Sequence, residues 1–454
     1  TAFLKAEKVA SRRYAPSDGE TAANPEKGLS RCRSAQCTNL SVFSTIFLLL
    51  SFGGTILPSY FMPTGPSLQG QSAKGPGPAA RPQARLSTSA VLSPSAPDGI
   101  IARRRLGRTY CYGGVREMKG FGAGIRAISY YLPPKVVDNR ALVEEFGVWT
   151  EEKISQKTGI KERRVVDGEL VSDIATRAGE KLFEEHGIDR GDVDFLLLCT
   201  ECPDYYLPAT ACVVQDRLGL KKTTGALDFN LGCSGFIYGL ALAKGLIGTG
   251  IARKVLLLTA DTLTRTVHPM DKSTRTIFGD AAAATLVEGS DTGRIGEFVL
   301  GTDGSGMDKL IIPAGAWAAP RSAETAAERT NKWGNTRSAE NLYMNGPEVL
   351  KFTVETVPPA IRQVLETHSL RLEDVDLFVF HQATKLILEH LRKEIGIPEE
   401  KFFVNIENKG NTVSATIPIA LRDAADSGRL RPGDRVLVAG FGVGFSWGAT
   451  ILRW

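Results

Sequence analysis

Cys233 lies between two glycines in the segment FNLGCSGFIYGL, where a β-like run gives way to an apolar helical one. Gly232 and Gly235 allow a sharp bend and a close backbone approach to the thiol. A cysteine at the start of a helix lies near unpaired N–H groups, which favour the thiolate and predict a lowered pKa. Such a thiolate would be a nucleophile. In isolation, a small buried structural thiol explains the same segment.

Two other polar residues occupy comparable places later in the chain. His381, in FVFHQATKLILEHL, follows a buried strand and precedes an amphipathic helix, and Asn411 lies in a Gly-Asn-Thr turn before another helix. Alone, the first is typical of a satisfied core histidine and the second of a turn asparagine. The closing segment VLVAGFGVGFSWGATILRW predicts a strand, a glycine-rich hairpin and a strand. Such a loop can direct backbone N–H groups at an oxyanion, although plain hairpins are common.

An internal repeat indicates how the chain is built around these residues. LFEEHGIDRGDVDFLLLC (182–199) aligns without gaps on VLETHSLRLEDVDLFVFH (364–381), and KVLLLTAD (254–261) resembles RVLVAGFG (435–442). From residue 118 onward helical and β-like runs alternate, which predicts an α/β protein. Because the two halves repeat, we expect approximate twofold symmetry, with a site where the halves meet.

The repeat also predicts that the candidate residues converge. In its alignment Cys199 corresponds to His381, and the segment that leads to Cys233 corresponds to the segment that leads to Asn411. Cys233, His381 and Asn411 are therefore each expected directly after a strand, at matching places in the two halves.

The N-terminal quarter differs in composition from the remainder. Residues 1–117 carry 15 basic and 6 acidic residues, whereas the rest carries 40 basic and 44 acidic, so the net charge of +5 arises in the N-terminal part. Three interpretations remain open: a targeting presequence, a weak membrane anchor at the apolar stretch 40–58, or sequence upstream of a true start near Met118. The first predicts a plastid or another organelle, and the last predicts the cytoplasm.

The remainder excludes several classes of function. Its slight acidic excess is not typical of a nucleic-acid-binding protein. The seven cysteines form no regular framework, and the single C-x-x-C of Cys199 and Cys202 has no second pair. Two reduced thiols at the end of a strand are therefore expected there, without a metal.

Taken together, these segments resemble the 3-oxoacyl-[acyl-carrier-protein] synthase III family of the thiolase superfamily. The resemblance covers residues 118–454 and rests on an ordered set of motifs: TGIKERR (158–164), LGCSGFIYGL (231–240), RTIFGDAAAATLV (275–287), DGSG (303–306), HQA (381–383), GNT (410–412), RPGDRVLVAGFG (431–442) and WGATILRW (447–454). It implies a five-layered αβαβα thiolase-like fold, with an N-terminal half at 118–290 and a C-terminal half at 291–454. It also implies a homodimer.

The resemblance implies a role for each candidate residue. Cys233 would be acylated by an acyl thioester, and His381 and Asn411 would bind the carbonyl of a malonyl thioester and stabilise the enolate formed by loss of CO₂. Backbone N–H groups of Cys233 and Val443 would form the oxyanion hole, with Val443 where the family has glycine. The acyl group would come from acyl-CoA or acyl carrier protein, and no metal or redox cofactor is implied.

Several positions depart from the family pattern. Lys153 and Lys157 replace the Trp and Arg that hold the CoA adenine, Leu207 replaces the aromatic residue that closes the partner's acyl tunnel, and Thr384 replaces an Asn. We expect basic residues to form a rim for a phosphopantetheine thioester or an acidic carrier, although each is equally explained as a solvated surface residue. The rim would comprise Lys153, Lys157, Lys272, Arg275 and Lys385.

These departures leave three alternatives to fatty-acid synthesis open. A specialised polyketide or alkylquinolone synthase would share the chemistry, a C–O-forming acyltransferase would not consume malonyl groups, and a non-catalytic carrier-binding protein would have no need of Cys233, His381 and Asn411 together.

Overall fold

The computed structural model describes residues 122–454, so the predictions made for residues 1–117, including the stretch 40–58, lie outside the described residues. The strands are β1 Gly122–Tyr131, β2 Lys135–Asp138, β3 Glu162–Val165, β4 Phe195–Cys199, β5 Gly225–Phe229, β6 Lys254–Asp261, β7 Ala281–Ser290, β8 Ile295–Thr302, β9 Leu310–Ile311, β10 Arg329–Thr330, β11 Thr336–Arg337, β12 Tyr343–Met344, β13 Leu377–Phe380, β14 Arg435–Gly442 and β15 Ser446–Arg453. The helices are α1 Asn139–Phe146, α2 Glu151–Thr158, α3 Val171–His186, α4 Thr210–Arg217, α5 Gly235–Gly248, α6 Lys272–Arg275, α7 Gly346–Thr367, α8 Lys385–Ile395 and α9 Thr416–Asp426. No helix within 122–454 is long and apolar enough to span a bilayer.

The two large sheets are separated by a layer of buried helices. The first has the strand order β1-β7-β6-β4-β5 and the second β13-β14-β15-β8. Apolar residues of α5 and α9 pack between the sheets in one core, α3 and α4 cover the outer face of the first sheet, and α7 and α8 cover that of the second. One layer of helices lies between the two sheets, and one covers the outer face of each sheet. This order confirms the predicted αβαβα layers.

The sequence repeat corresponds to a structural repeat. β4 pairs in parallel with β6, and β13 pairs in parallel with β14, so the order β1-β7-β6-β4 of the first sheet matches β8-β15-β14-β13 of the second. The matching aspartates make equivalent hydrogen bonds. Asp194 accepts from the backbone N–H groups of Arg253 and Lys254 at the start of β6, and Asp376 accepts from that of Arg435 at the start of β14. The two-half architecture is confirmed, while a domain boundary at residue 290 stays a prediction.

The second half lacks one expected strand. No regular strand precedes Asn411, and Phe402 makes only a single bridge to Phe378. Beyond that bridge the side chain of Gln382 replaces strand-to-strand hydrogen bonds. Its amide donates to Phe403 O at 3.3 Å and accepts from Asn405 N at 2.8 Å. The prediction that Asn411 follows a strand end is therefore wrong, because a side chain replaces the ladder there.

Helix α5 is buried because its sequence leaves almost no polar face. Phe236, Ile237, Leu240, Ala243 and Ile247 are all at most 3% exposed and contact both sheets. A helix that is apolar around its circumference belongs in the interior of a large protein. Its N-terminal end, which follows Cys233, is thereby fixed deep in the molecule.

Arg163 of the TGIKERR motif fastens the peripheral β2–β3 unit to the segment before β7. Its side chain is fully buried, and its guanidinium donates to Val137 O at 3.1 Å, Asn139 Oδ1 at 3.0 Å and Thr276 O at 2.9 Å. Burial lowers its pKa to about 10. Since Thr276 lies just before the residues that pair with Asn411, the motif helps to position the site.

Candidate active site

Cys233 occupies the tight turn between β5 and α5, as predicted. β5 ends at Phe229, α5 begins at Gly235, and the turn is closed by a hydrogen bond from Gly235 N to Gly232 O at 2.8 Å. The thiol residue is 6% exposed.

Glycines of the C-terminal hairpin let its backbone lie directly against this turn. A Cβ on Gly442 would come within 2.8 Å of Cys233 Sγ, and one on Gly440 would come within 2.7 Å of Cys233 O. Both distances are shorter than ordinary van der Waals contact. These two positions therefore require glycine for close approach to the nucleophile.

A pair of hydroxyls connects the hairpin loop to the cysteine turn. Ser446 donates to Val443 O at 2.7 Å, and the Ser234 and Ser446 hydroxyls lie 2.7 Å apart, so Ser234 is the donor of that pair. The loop is also held by Asp303 of the DGSG motif, which exchanges two backbone hydrogen bonds with Phe445 at 2.7 and 2.8 Å. Val443 is thereby fixed from both sides.

The backbone groups of Val443 and of Cys233 itself lie against the thiol and act to lower its pKa. Two N–H donors that converge on the nucleophile are also placed to bind the oxygen of a tetrahedral adduct formed on it. Valine at position 443 keeps the N–H that the glycine of the family pattern would supply.

The surroundings of Cys233 nevertheless raise its thiol pKa. Burial is the largest cause, and the carboxyl groups of Glu201 and Asp261 add to it, outweighing the backbone donors. The lowered pKa that the helix start predicts is therefore wrong for this pocket, because a thiolate here would lose its hydration next to two acidic side chains. The thiol is held protonated until a substrate arrives.

His381 follows β13 and lies buried beside β14, with its backbone N–H donating to Ala439 O at 2.8 Å. Its ring is 1% exposed, its Nδ1 lies 2.7 Å from the Thr416 hydroxyl, and it meets the Phe441 ring edge-to-face at 5.7 Å. Burial lowers its pKa to about 3, so the imidazole is neutral at ordinary pH. Within the described residues nothing bonds Nε2, which leaves that nitrogen for substrate.

Thr416 decides which ring nitrogen of His381 carries the proton. The hydroxyl lies 3.1 Å from Val413 O as well as 2.7 Å from Nδ1, and it has one proton to donate. While the hydroxyl donates to Val413 O, Nδ1 carries the ring proton and donates to the hydroxyl; when the hydroxyl turns to donate to Nδ1, the ring proton resides on Nε2 and the ring can donate to a substrate oxygen.

Asn411 is held by its backbone and by one side of its amide. It pairs with the chain at Phe278, through Asn411 N to Ile277 O and Gly279 N to Asn411 O, both at 3.0 Å. Its Oδ1 accepts from Val413 N at 2.9 Å. Since no acceptor in the described residues takes its Nδ2, that group remains to donate to substrate.

Neighbouring residues bring these groups into one site. On β14, Phe441 contacts the His381 ring while the adjacent Gly442 contacts Cys233 Sγ. Val413, whose N–H orients Asn411, belongs to the same apolar cluster as Cys233. The convergence predicted for the three residues is thus consistent with all of these contacts.

The predicted basic rim divides into exposed and buried members. Lys153, Lys157 and Lys385 are exposed. Lys272 is 6% exposed and donates to Gly334 O, so its placement on an exposed rim is wrong. Arg275 is 20% exposed, 3.6 Å from a Glu145 oxygen, and also largely withdrawn from solvent.

Trp149, which precedes α2, lies beside two lysines of that helix. The ammonium groups of Lys153 and Lys157 lie 5.0 and 5.3 Å from the centre of its ring. Leu207 is 83% exposed, and Thr384 caps α8 by accepting from Ile387 N at 3.3 Å. The Thr384 hydroxyl is therefore occupied in the helix cap.

Two carboxyl groups, the half-buried Glu201 and the buried Asp261, were not among the predicted site residues. Glu201 follows β4, and Asp261 is the last residue of the neighbouring β6. Both carboxyl groups lie beside Cys233. The signal for Glu201 was available in the repeat, since the turn after β4 corresponds to the turn after β13 that carries His381.

Comparisons with known proteins identify the family. A family model described as 3-oxoacyl-[acyl-carrier-protein] synthase III matches residues 227–304, and its C-terminal counterpart matches residues 365–454. A β-ketoacyl-[acyl-carrier-protein] synthase III of Caldanaerobacter subterraneus subsp. tengcongensis is 37% identical over 335 residues, which are 73% of this chain and 98% of that protein. The chain belongs to the β-ketoacyl-[acyl-carrier-protein] synthase III family.

Solved structures agree with this membership. A 3-oxoacyl-(acyl-carrier-protein) synthase III crystal structure is 48% identical, with a TM-score of 0.72 over 73% of this chain and 100% of that one. The priming β-ketosynthase of the R1128 polyketide pathway is 28% identical, with a TM-score of 0.65 over 75% of this chain and 98% of that one. The predicted thiolase-like fold, family and enzyme class are confirmed, and the matched segments include Cys233, His381 and Asn411.

Proposed function

We propose that the protein condenses an acyl thioester with malonyl-acyl carrier protein, with loss of CO₂, to give a 3-oxoacyl-acyl carrier protein for fatty acid biosynthesis. The observation that carries this proposal is the combination around Cys233. Backbone groups of Val443 and Cys233 face the thiol, while His381 and Asn411 each have one side-chain nitrogen that no described residue bonds and that remains for substrate.

In the first half-reaction Cys233 attacks the carbonyl carbon of the acyl thioester. The negative charge that develops on the carbonyl oxygen is bound by the N–H groups of Val443 and Cys233, and the thiol of the donor departs. The fixed loop allows this stabilisation without reorganisation, because Ser446 and Asp303 already hold it.

In the second half-reaction His381 Nε2 and Asn411 Nδ2 donate to the thioester oxygen of the malonyl group. Loss of CO₂ leaves an enolate on that oxygen, and two neutral donors stabilise it without permanently protonating it. The lowered pKa of His381 suits this role, because a charged imidazolium would give up its proton to the enolate. The carbanion then attacks the acyl group on Cys233.

The donors are proposed to be acyl-CoA or acyl-acyl carrier protein. Lys153, Lys157 and Lys385 are exposed cations, and a Gly159 Cβ would touch Lys385, so α2 and the start of α8 form one basic surface. Phosphates of a phosphopantetheine group suit such a surface. All steps use protein groups and substrate, so we keep the expectation that no metal or redox cofactor is needed.

We also propose that the protein forms a homodimer. Tyr206, Leu207 and Trp317 are 74, 83 and 88% exposed, and the two aromatic rings lie 6.3 Å apart. A contiguous group of large apolar side chains at the surface is typical of a protein–protein interface.

A priming ketosynthase of polyketide assembly is the second candidate, because the R1128 enzyme shares the fold and 28% of the sequence. The test mixes purified protein with an acyl-CoA and malonyl-acyl carrier protein, and measures CO₂ release and the mass of the carrier product. The proposal predicts one CO₂ for each 3-oxoacyl product. Acyl transfer without CO₂ release would contradict it and favour a C–O-forming acyltransferase, and the chain length of the product separates the two pathways.

A further inference from the structure

The turn after β4 places a carboxyl group beside the nucleophile. Thr200 N donates to Phe229 O at 3.2 Å, and Glu201 N donates to Asp261 Oδ1 at 2.8 Å, so the turn is fixed to both neighbouring strands. A Cβ on Gly232 would lie 2.5 Å from Glu201 Oε2 and 2.8 Å from Oε1. The carboxyl group therefore lies on the backbone of the residue directly before Cys233.

Glu201, which is half-buried, differs from the two fully buried carboxyl groups of this region. Asp261 accepts bonds from Glu201 N, Ser414 N and the Ser414 hydroxyl, and Asp280 accepts from Val166 N, Thr264 N and the Thr264 hydroxyl. Such carboxyls are structural. No donor within residues 122–454 hydrogen-bonds the carboxyl oxygens of Glu201, and no lysine or arginine there pairs with them.

The titratable groups around Glu201 are all acidic. They are Asp261 on β6, with Asp280 beyond it, and the thiols Cys199, Cys202 and Cys233. Desolvation and the neighbouring Asp261 raise the pKa of Glu201, so its carboxyl group exchanges a proton closer to neutral pH than an ordinary glutamate does. His381 is a poor proton acceptor by comparison, because its pKa is lowered to about 3.

Acylation creates the need for such a group. The thiol of Cys233 is protonated in the free enzyme, and attack on a thioester must dispose of that proton while the departing thiolate must gain one. His381 Nε2 is reserved for the malonyl oxygen. We propose that Glu201 carries this proton, by way of one water between its carboxyl group and the Cys233 sulfur.

The step balances without a further reactant. The sulfur of Cys233 forms a bond to the acyl carbon, and its proton passes through the water to the Glu201 carboxylate. The tetrahedral intermediate then collapses, the bond to the departing sulfur breaks, and the carboxylic acid returns the proton to that thiolate. Glu201 ends as a carboxylate, and the products are acyl-Cys233 and the free thiol of CoA or the carrier.

The inference rests on the proposed function and is tested on the isolated acylation step. Wild type, Glu201→Gln and Glu201→Asp are mixed with acetyl-, butyryl- and octanoyl-CoA and quenched at short times. Intact-protein mass spectrometry across a pH series then gives the rate at which each is acylated. The wild-type rate should rise as pH rises through the ionisation of Glu201. E201Q should acylate about 100-fold more slowly and lose that rise, while E201D should keep the rise at a lower rate.

A second readout separates a proton carrier from a structural residue. Once E201Q has been acylated by long incubation, its malonyl decarboxylation should match wild type within about twofold, since no thiol proton remains. Cys202→Ala, a neighbour on the same turn, should acylate at the wild-type rate, and melting temperatures verify folding. If E201Q does not fold, the pH profile of the E201D acylation rate is the test. An acylation rate that does not rise with pH in E201D overturns the inference.

The two failures are distinguishable. If wild type is never acylated, the proposed function fails. If wild type is acylated and E201Q has the same rate and pH profile, Glu201 carries no proton. If E201Q loses acylation and decarboxylation alike, its role is structural and the inference is overturned.

Discussion

Removal of the Thr416 hydroxyl should selectively impair decarboxylation. Thr416→Val keeps the shape of the side chain but removes the group that lies 2.7 Å from His381 Nδ1. Because the ring is 1% exposed, water cannot replace the lost partner. An unpaired buried polar group costs about 1–3 kcal/mol.

That free-energy cost falls on decarboxylation, the step in which His381 Nε2 must donate to the malonyl oxygen. Each 1.4 kcal/mol corresponds to a factor of about ten, so decarboxylation of malonyl-acyl carrier protein by the acylated enzyme should fall about 5- to 150-fold. The assay is CO₂ release in a single turnover of enzyme already acylated on Cys233. Acylation itself should change little, since Thr416 does not touch Cys233.

Thr416→Ser is the matched control, because it retains the hydroxyl and loses only a methyl group. It should decarboxylate within about threefold of wild type. If T416V releases CO₂ at the wild-type rate, the hydroxyl neither orients His381 nor selects its protonated nitrogen.

Three further predictions concern the thiol, the imidazole and the buried arginine. Gly442→Ala should slow acylation of Cys233 about 100-fold, because the new Cβ would displace the thiol by a substantial part of an ångström. Gly448→Ala is the control, because it crowds the core away from the thiol and should leave the acylation rate unchanged; intact-mass kinetics compare the two variants. The decarboxylation rate should show no inflection near pH 6.5, because burial keeps His381 neutral down to about 3; an inflection there in a pH–rate profile would contradict this. Arg163→Lys should lower the free energy of unfolding by about 2–4 kcal/mol in urea titrations, since an ammonium cannot reach three acceptors at once; an unchanged midpoint would refute it.

The features that could be predicted from sequence are those encoded locally or by the repeat. The Gly-Cys-Ser-Gly turn, the hairpin of β14 and β15, and the positions of β4 and β13 follow from glycine placement and apolar runs. The alignment of residues 182–199 with 364–381 predicts two equivalent halves, and the matching strand orders confirm it.

Features that depend on distant segments could not be predicted. Lys272 looks solvent-exposed in a charged stretch, but the carbonyl of Gly334, 62 residues away, covers it. The helix start, which is all that the sequence shows, predicts a lowered thiol pKa, whereas burial and the carboxyl groups of Glu201 and Asp261 raise it. The pairing of His381 with Thr416 likewise becomes visible only in three dimensions.

Covalent acylation of Cys233 is the step that tests the proposed mechanism most directly. Protein beginning at Met118 is mixed in turn with acyl-CoAs and acyl-carrier thioesters, and its intact mass is measured beside that of Cys233→Ala. We expect an added acyl mass on the wild type alone, and the donor that gives it identifies the preferred starter. An unmodified wild type with every donor, or equal modification of the variant, would contradict the nucleophilic role of Cys233.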